Sequence, residues 1–403
     1  MRRSRWFGLL AILFAFALVA GACGDDDDDE GVAAQDTEPA DDGGDDGTDD
    51  TEATGESEGG DDEAAAGTGS IWVLLPDSAS SARWETDDRR FFVEAFEEAG
   101  LSEGDDFTIV NAEADAQQQQ SQAEQAIADG ASVILLVNLD SGSGAAIIAT
   151  AREAGVSVVD YDRLTIEGPG ADVYVSFDNV EVGATMAEVL EPAIDELGED
   201  PARVAMLNGA PTDNNATLFK EGYNETVSAR VEAGDWELVG DQDVPEWDNQ
   251  EALNIFEQML TAADQDIDGV FAANDGLANS VITALKNAGV GPIPVSGQDA
   301  TVGGIQNILA GDQTMTVYKP IQAEVNAAAA AALALRAGED VTALTGDFEV
   351  TTIDNGTNEL PFLALTPVAV TADNIADTVI ADGFRTWDEV CTGDFEQYCP
   401  EDR

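Results

Sequence analysis

The chain has 403 residues, of which 82 are Asp or Glu and only 16 are Lys or Arg, and its formal net charge is −66. This acidic balance argues against a nucleic-acid partner, because phosphates require a basic surface. The chain contains no His, which excludes Ser-His-Asp and Cys-His catalysis and the commonest zinc ligand. We expect no metal site and no cofactor.

Residues 1–23 have the pattern of a secretory signal. Three arginines precede an apolar run at 6–20, and small residues lead to Cys23. The segment Leu18–Cys23 resembles a bacterial lipobox, which implies cleavage before Cys23 and a lipid on that residue. The alternative is an ordinary signal peptide with an incidental cysteine. The lipobox interpretation predicts an exported protein anchored at the outer face of the cytoplasmic membrane, on its periplasmic or extracellular side.

Residues 24–70 contain 20 acidic residues and no Lys or Arg. Such a segment buries too little apolar surface to offset the entropy of ordering. We expect it to be a disordered, self-repelling tether between the anchor and the remaining body.

From Ile71 onward, short apolar runs alternate with longer amphipathic stretches. The apolar runs predict strands at 71–75, 107–110, 132–137, 156–160, 172–176, 203–207, 237–239, 269–273, 294–296 and 314–317. The amphipathic stretches predict helices at 88–99, 117–128, 144–154, 180–197, 216–233, 249–262, 276–288 and 321–336. This alternation predicts an α/β fold with parallel sheets and helices on both faces.

A body of this length is large for one core, so we expect two Rossmann-like lobes. The first lobe is predicted to comprise 71–178 plus about 319–362, and the second 179–318 plus about 363–390. Three crossings would then form the hinge. In the tail, 391–403, Cys391 and Cys399 either form a local disulfide or remain free thiols.

Polar and aromatic residues follow the predicted strands, where open parallel sheets bind their ligands. Carboxylates, amides and basic groups satisfy vicinal hydroxyls in pairs, and indole faces cover the C–H side of a sugar ring. These residues are Asp77, Arg83, Trp84, Tyr161, Asp162, Arg163, Asp213, Asn214, Asn215, Trp247, Asp248, Asn274, Asp275, Gln298, Asp299 and Lys319.

Several of these residues have simpler interpretations. Asp213 and the pair Asn274-Asp275 fit helix N-caps. The tryptophans fit core anchors, and Arg163 fits a surface ion pair. The segment Asp264–Gly269, with Asp275 at position twelve, matches the start of a calcium loop. We interpret it as an acidic turn, because a predicted strand follows it directly.

Several longer segments resemble the bacterial D-xylose-binding proteins of ABC transporters, within the ribose/galactose-type periplasmic binding superfamily. They include Ala82-Arg83-Trp84-Glu85, Tyr161-Asp162-Arg163, Ser296-Gly297-Gln298-Asp299 and Gln313–Pro320. The resemblance implies the type I fold, with two lobes and a three-crossover hinge. It implies polar sugar contacts from Arg83, Asp162, Arg163, Asp213, Asn215, Asn274, Asp299 and Lys319, and aromatic plates from Trp84 and Trp247.

The function predicted on this basis is capture of a monosaccharide, most readily D-xylose, by hinge closure, with delivery to an ABC permease by a monomeric receptor. One alternative is a receptor for another aldose, such as glucose, ribose or arabinose, that feeds chemotaxis or a sensor kinase. A glycosidase with Asp162 and Asp299 as paired carboxylates is disfavoured, because Arg163 and Lys319 would keep both ionised. We therefore predict a binding protein and not an enzyme.

Overall fold

Alternating strands and helices account for most of the body of the chain. The structure, a computed structural model, describes residues 69–78, 80–401 and 403. The predicted signal peptide 1–23, Cys23 and nearly all of the predicted tether 24–70 lie outside them. Ser70, the last residue assigned to the tether, is instead the first residue of a strand.

The strands are β1 Ser70–Leu75, β2 Phe107–Asn111, β3 Ala131–Leu136, β4 Ser157–Tyr161, β5 Val173–Phe177, β6 Ala202–Asn208, β7 Trp236–Asp243, β8 Gly269–Ala272, β9 Thr316–Tyr318, β10 Glu349–Asp354, β11 Glu359–Leu365 and β12 Val368–Val370. The α-helices are α1 Arg89–Glu98, α2 Ala116–Ala128, α3 Gly144–Glu153, α4 Asn179–Asp195, α5 Asn214–Ala233, α6 Asn249–Ala262, α7 Asp275–Ala288, α8 Val302–Ala310, α9 Ile321–Ala337 and α10 Trp387–Val390.

Two sheet systems define two lobes. The first lobe has one sheet in the order β10-β11-β5-β4-β3-β1-β2, parallel except for the antiparallel pair β10 and β11. The second has the parallel sheet β7-β6-β8 and the antiparallel pair β12-β9. Single bridges at Val295 and Gln298 connect these two parts of the second lobe. The predicted α/β class with parallel sheets is confirmed.

The chain passes between the sheet systems three times. The passages lie between β5 and α4, between β9 and α9, and between β11 and β12. Strand β11 continues to Leu365, which pairs with Phe177 of β5. The end of the first lobe therefore lies three residues beyond the predicted position near 362.

Some of the strands and helices predicted from the sequence were wrong, and others were missed. The predicted strand at 294–296 is only one bridge, between Val295 and Val270. Strands β10 to β12 and helix α8 were missed. Pro361 within β11 removes a hydrogen-bond donor, which argues against a strand, but at this position β11 pairs only with β10, since its pairing with β5 begins at Phe362. Gly303 and Gly304 weaken the helical pattern of α8.

The carboxyl-terminal segment packs on the second lobe. The Gln306 side chain of α8 donates a hydrogen bond to the Val390 carbonyl at 2.8 Å. Cys391 and Cys399 are joined by a disulfide, with their Cα atoms 6.0 Å apart. Among the described residues, no helix combines the length and the apolar character that crossing a bilayer requires.

Helices α4 and α5 approach closely because two glycines meet at their crossing. A Cβ atom added to Gly222 would lie 2.1 Å from the Val180 carbonyl oxygen and 2.8 Å from the Gly183 Cα atom. Both neighbours are backbone atoms, so neither can move aside without displacing a helix.

We predict that Gly222→Ala lowers the free energy of unfolding by about 1–3 kcal/mol, because the added methyl group overpacks this crossing. Urea unfolding monitored by circular dichroism measures the change. Gly291→Ala is the control, since a Cβ atom there meets nothing within 4 Å. Equal unfolding midpoints for the two variants would contradict the prediction.

Candidate functional site

A small cavity lies between the two lobes. All ten residues that the resemblance assigned to the ligand line it, and they come from both lobes. The complete lining is Ser80, Ser81, Arg83, Trp84, Asp162, Arg163, Asp213, Asn215, Phe219, Trp247, Asn274, Gln298, Asp299 and Lys319.

Asp162 lies at the centre of the charged part of the lining. One of its carboxylate oxygens is 3.0 Å from Arg83 Nη1 and 3.4 Å from Lys319 Nζ. Asn215 of the second lobe donates to its other oxygen at 3.2 Å. Burial alone would raise the pKa of Asp162, but the charges of Arg83, Lys319 and Arg163 outweigh it and hold the pKa below its usual range. Asp162 is therefore an anion that three segments of the chain share.

Buried acceptors behind the cavity hold the Arg83 guanidinium. Asp88 accepts from its Nε and Nη2 atoms at 3.0 and 2.9 Å, and Glu324 of α9 lies 3.3 Å from Nη2. The Tyr161 hydroxyl donates to Asp88 at 2.6 Å. Burial, followed by the neighbouring Asp162, raises the pKa of Glu324 well above its ordinary value. Arg83 thus faces the cavity with its orientation fixed from behind.

Asp213 connects the two lobes across the cavity wall. Its Oδ2 atom is 3.1 Å from Arg163 Nε of the first lobe, and it accepts from Trp247 Nε1 at 3.1 Å. Its Oδ1 atom accepts from the Asn215 backbone N–H at the start of α5. Asp213 is therefore both an N-cap and part of the cavity lining, so the two interpretations of this residue are compatible.

Asn274 combines the same two features. Its side-chain oxygen accepts from the Leu277 backbone N–H in the first turn of α7, at 2.8 Å. Its side chain also lines the cavity. The strand β8 ends two residues earlier, which brings Asn274 to the edge of the sheet that faces the other lobe.

Trp247 occupies a constrained turn. Glu246 and Trp247 have φ angles of 55° and 56°, in the left-handed region that favours glycine. Gly209 lies directly against the indole, and a Cβ atom added there would be 2.0 Å from Trp247 Cη2. The absence of a side chain at Gly209 makes room for the indole beside the cavity.

Each lobe uses one buried carboxyl to hold the loop that presents site residues. In the first lobe, Asp160 at the end of β4 accepts from Thr165 N and Oγ1, both at 2.8 Å. These bonds close the loop that carries Asp162 and Arg163. Burial raises the pKa of Asp160 to about 7.

The equivalent residue in the second lobe is Asp275. It accepts from Thr301 N at 2.8 Å, Thr301 Oγ1 at 3.0 Å and Gln313 Nε2 at 2.8 Å. Its bonds hold the loop that carries Gln298 and Asp299, and burial raises its pKa to about 6. The candidate calcium segment lies elsewhere: Asp264 and Gln265 adopt left-handed conformations in a turn that leads into β8.

Four lining residues were not assigned from the sequence. Gln298 had been noted at a strand end, beside Asp299. Ser80 and Ser81 precede Arg83, but short polar residues in a loop carry little signal. Phe219 lies four residues after Asn215 on α5, and this one-turn spacing is the signal by which it could have been found. Asp77, Tyr161, Asn214, Asp248 and Asp275 also follow strands but do not line this cavity.

The geometry defines a binding protein with two α/β lobes around one polar cavity. The sequence matches the periplasmic binding protein domain over residues 72–340. The chain therefore belongs to the periplasmic binding protein family, and its fold is the type I fold of that family.

Members of the family that are similar in sequence to this chain include sugar-binding proteins, as the resemblance noted in the sequence implies. The D-xylose-binding periplasmic protein of Escherichia coli strain K12 is 36% identical over 315 residues, which cover 78% of this chain and 90% of that protein. The multiple sugar-binding periplasmic receptor of Rhizobium radiobacter is 30% identical over 349 residues, 81% of this chain and 93% of the receptor.

A solved structure gives the same result. The carbohydrate transporter solute binding protein of Chloroflexus aurantiacus, in complex with D-glucose, has a TM-score of 0.71 and 29% identity, over 79% of this chain and 97% of that chain. The resemblance to the D-xylose-binding proteins is confirmed, and the chain is a binding protein and not an enzyme.

The two buried carboxyls predict that the protein loses stability as pH rises. A carboxyl whose pKa is higher in the folded protein than in the unfolded chain binds its proton more tightly when folded. The free energy of unfolding therefore falls between about pH 4 and the folded pKa, which is about 7 for Asp160 and about 6 for Asp275. We expect a lower melting temperature at pH 8 than at pH 5.

Asp160→Asn is the matched variant, because the amide mimics the protonated carboxyl and can keep both contacts with Thr165. Its melting temperature should depend less on pH between 5 and 8 than that of the wild type. If the melting temperatures of the two proteins changed equally with pH, Asp160 would not be a source of the pH dependence.

Proposed function

We propose that the protein captures a monosaccharide, D-xylose, in the cavity between its lobes and delivers it to an ABC sugar permease. The observation that carries the proposal is one cavity between the lobes whose lining contains three cationic side chains, three carboxylates and two indoles, drawn from both lobes. Paired charged groups and amides suit the alternating donors and acceptors of vicinal hydroxyls.

The aromatic residues also suit a sugar ring. Trp84 and Trp247 both line the cavity, and indole faces pack against the C–H face of a sugar ring. Arg83 lies 4.2 Å from the Trp84 ring centroid, so a cation already covers part of that indole.

The choice of D-xylose is supported by relatives that are named for the sugar they bind. Two proteins named for D-xylose binding are 36% and 35% identical to this chain. D-glucose is the second candidate, because the Chloroflexus aurantiacus relative binds it and the Rhizobium radiobacter receptor is named for several sugars. The two aldoses differ by one hydroxymethyl group, so a small change in the lining would separate them. A receptor for such an aldose could serve chemotaxis or a sensor kinase instead of transport.

Hinge closure supplies the mechanism that we propose. Asn215 and Asp213 of the second lobe contact Asp162 and Arg163 of the first across the cleft, and opening of the cleft would separate them. A ligand held by both lobes has a higher affinity for this closed form, and that difference shifts the equilibrium towards it. The permease would then recognise the closed surface.

The amino-terminal sequence supplies the proposed location. The relatives are periplasmic proteins, which supports an extracytoplasmic location. We propose that a lipid on Cys23 anchors the chain at the outer face of the membrane and that the acidic segment lets a monomeric receptor reach its permease.

The first test is a tryptophan fluorescence titration with xylose, glucose, ribose, arabinose and galactose. We expect saturable binding with the highest affinity for xylose. Asp299→Ala should weaken that binding by about 2–5 kcal/mol, because Lys319, 3.6 Å from Asp299, loses one of its buried partners. No response to any of these aldoses at millimolar concentration would overturn the proposal.

Asp266→Ala is the matched control for that variant. It removes an exposed carboxylate of the same lobe, which pairs with Arg203 at 2.9 Å far from the cavity lining. Its affinity for xylose should equal that of the wild type. Equal affinities for all three proteins would remove Asp299 from the site.

Gly209→Ala tests the aromatic wall without altering any lining residue. The added methyl group collides with the Trp247 ring, so the indole must move. We expect at least tenfold weaker xylose binding and a shifted emission spectrum of the ligand-free protein. Gly291→Ala again provides the control, and unchanged affinity in Gly209→Ala would exclude Trp247 as a ligand platform.

A further inference from the structure

Arg385 joins the two lobes beside the cavity without lining it. It lies in the segment after β12, and its side chain is largely buried. Its Nη1 atom is 3.1 Å from Asp87 Oδ1, and its Nη2 atom is 3.3 Å from Asp87 Oδ2. Its Nε atom donates to the Ala300 carbonyl at 3.1 Å. Such a two-point contact between guanidinium and carboxylate is among the stronger polar contacts in proteins.

The two partners of Arg385 belong to different lobes. Asp87 lies in the helical turn Trp84–Asp88, which follows β1 and presents Trp84 to the cavity. Ala300 follows Asp299 in the loop of the second lobe that Asp275 holds. Asp87 is therefore three residues from Trp84, which lines the cavity, and Ala300 is one residue from Asp299, which lines it too.

Arg385 itself is anchored to the second lobe. Its guanidinium lies 3.8 Å from the Phe384 ring centroid, and Phe384 packs against Tyr318 of β9 with centroids 5.1 Å apart. The Tyr318 hydroxyl also donates to Asp382. A rotation of the second lobe would carry Arg385 with it and would move it relative to Asp87.

Asp87 has other partners that belong to its own lobe. Arg90, one turn along the chain, has its Nη2 atom 3.7 Å from Asp87 Oδ1, and Thr86 Oγ1 donates to Asp87 at 3.0 Å. Arg90 is half exposed. When Arg385 moves away, Asp87 therefore keeps a cation and a hydroxyl beside it, so separation leaves no isolated buried carboxylate.

We propose that the Asp87–Arg385 pair is a latch between the lobes that raises ligand affinity by stabilising the closed form, with no contact to the ligand. The proposal rests on the proposed capture by hinge closure. A contact present only in the closed form multiplies affinity for any ligand that the closed form binds. Arg385 and Asp87 are thus positioning residues, and they set affinity without setting which sugar is preferred.

The test compares Asp87→Asn, Arg385→Met and the double variant with the wild type, by xylose affinity and by stopped-flow dissociation rate. We expect each single variant to bind at least fivefold more weakly, through faster dissociation, with an unchanged ranking of xylose over glucose. The double variant should resemble Arg385→Met, because both changes break the same contact.

Arg90→Ala is the matched control, since it removes the other cation beside Asp87 without touching the second lobe. It should neither weaken affinity nor speed dissociation, because the Asp87–Arg385 contact is intact. A role of Arg385 in folding alone would lower the melting temperature of ligand-free Arg385→Met and leave the dissociation rate of Asp87→Asn unchanged. Wild-type affinity and dissociation rate in Asp87→Asn would overturn the proposal.

A second measurement needs no sugar. Small-angle X-ray scattering of the ligand-free wild type and Asp87→Asn compares their radii of gyration, and the latch predicts the larger radius in Asp87→Asn. If no aldose binds the wild type, the proposed function fails. In that case the radii alone decide on the latch, and equal values would reject it.

Discussion

The structure depends on one buried carboxylate, that of Asp162. It lies in the left-handed region at φ 61°, directly after β4, and it is paired with Arg83, Lys319 and Asn215. A buried anion is stable only when charges and donors surround it, and losing one partner is far more costly than an exposed ion pair is worth. Asp162 therefore ties together the loop after β1, the second hinge passage and the start of α5. The cavity forms where these three segments meet.

Much of this arrangement could be predicted from the sequence because parallel sheets bring their carboxyl ends to one edge. Side chains as far apart as Arg83 and Lys319 were placed at strand ends by apolar patterning alone, and the structure brings them around one cavity. The family resemblance then separated them from neighbours such as Asp77 and Asp248, which follow strands equally well but lie outside the lining.

The remainder could not be predicted, for physical reasons that differ from residue to residue. Asp160 and Asp275 read as ordinary strand-end carboxylates, because a sequence pattern does not reveal that burial and loop hydrogen bonds will surround them. The close approach of Gly209 to Trp247 joins two segments that are distant in the chain and have no shared pattern. Strand β11 was missed because Pro361 argues against a strand, and the sequence does not reveal that pairing with β5 begins only at Phe362, after the proline. In each case the deciding contact is tertiary.

The disulfide between Cys391 and Cys399 has a practical consequence. Within the residues that the structure describes, these are the only cysteines, and they are bonded to each other, so neither is a free thiol. A single cysteine introduced at exposed Gln250, in the first turn of α6 and beside the mouth of the cleft, would be the one reactive thiol of that part of the chain. An environment-sensitive dye attached there would turn lobe movement into an optical signal, and the receptor into a reagentless sugar sensor.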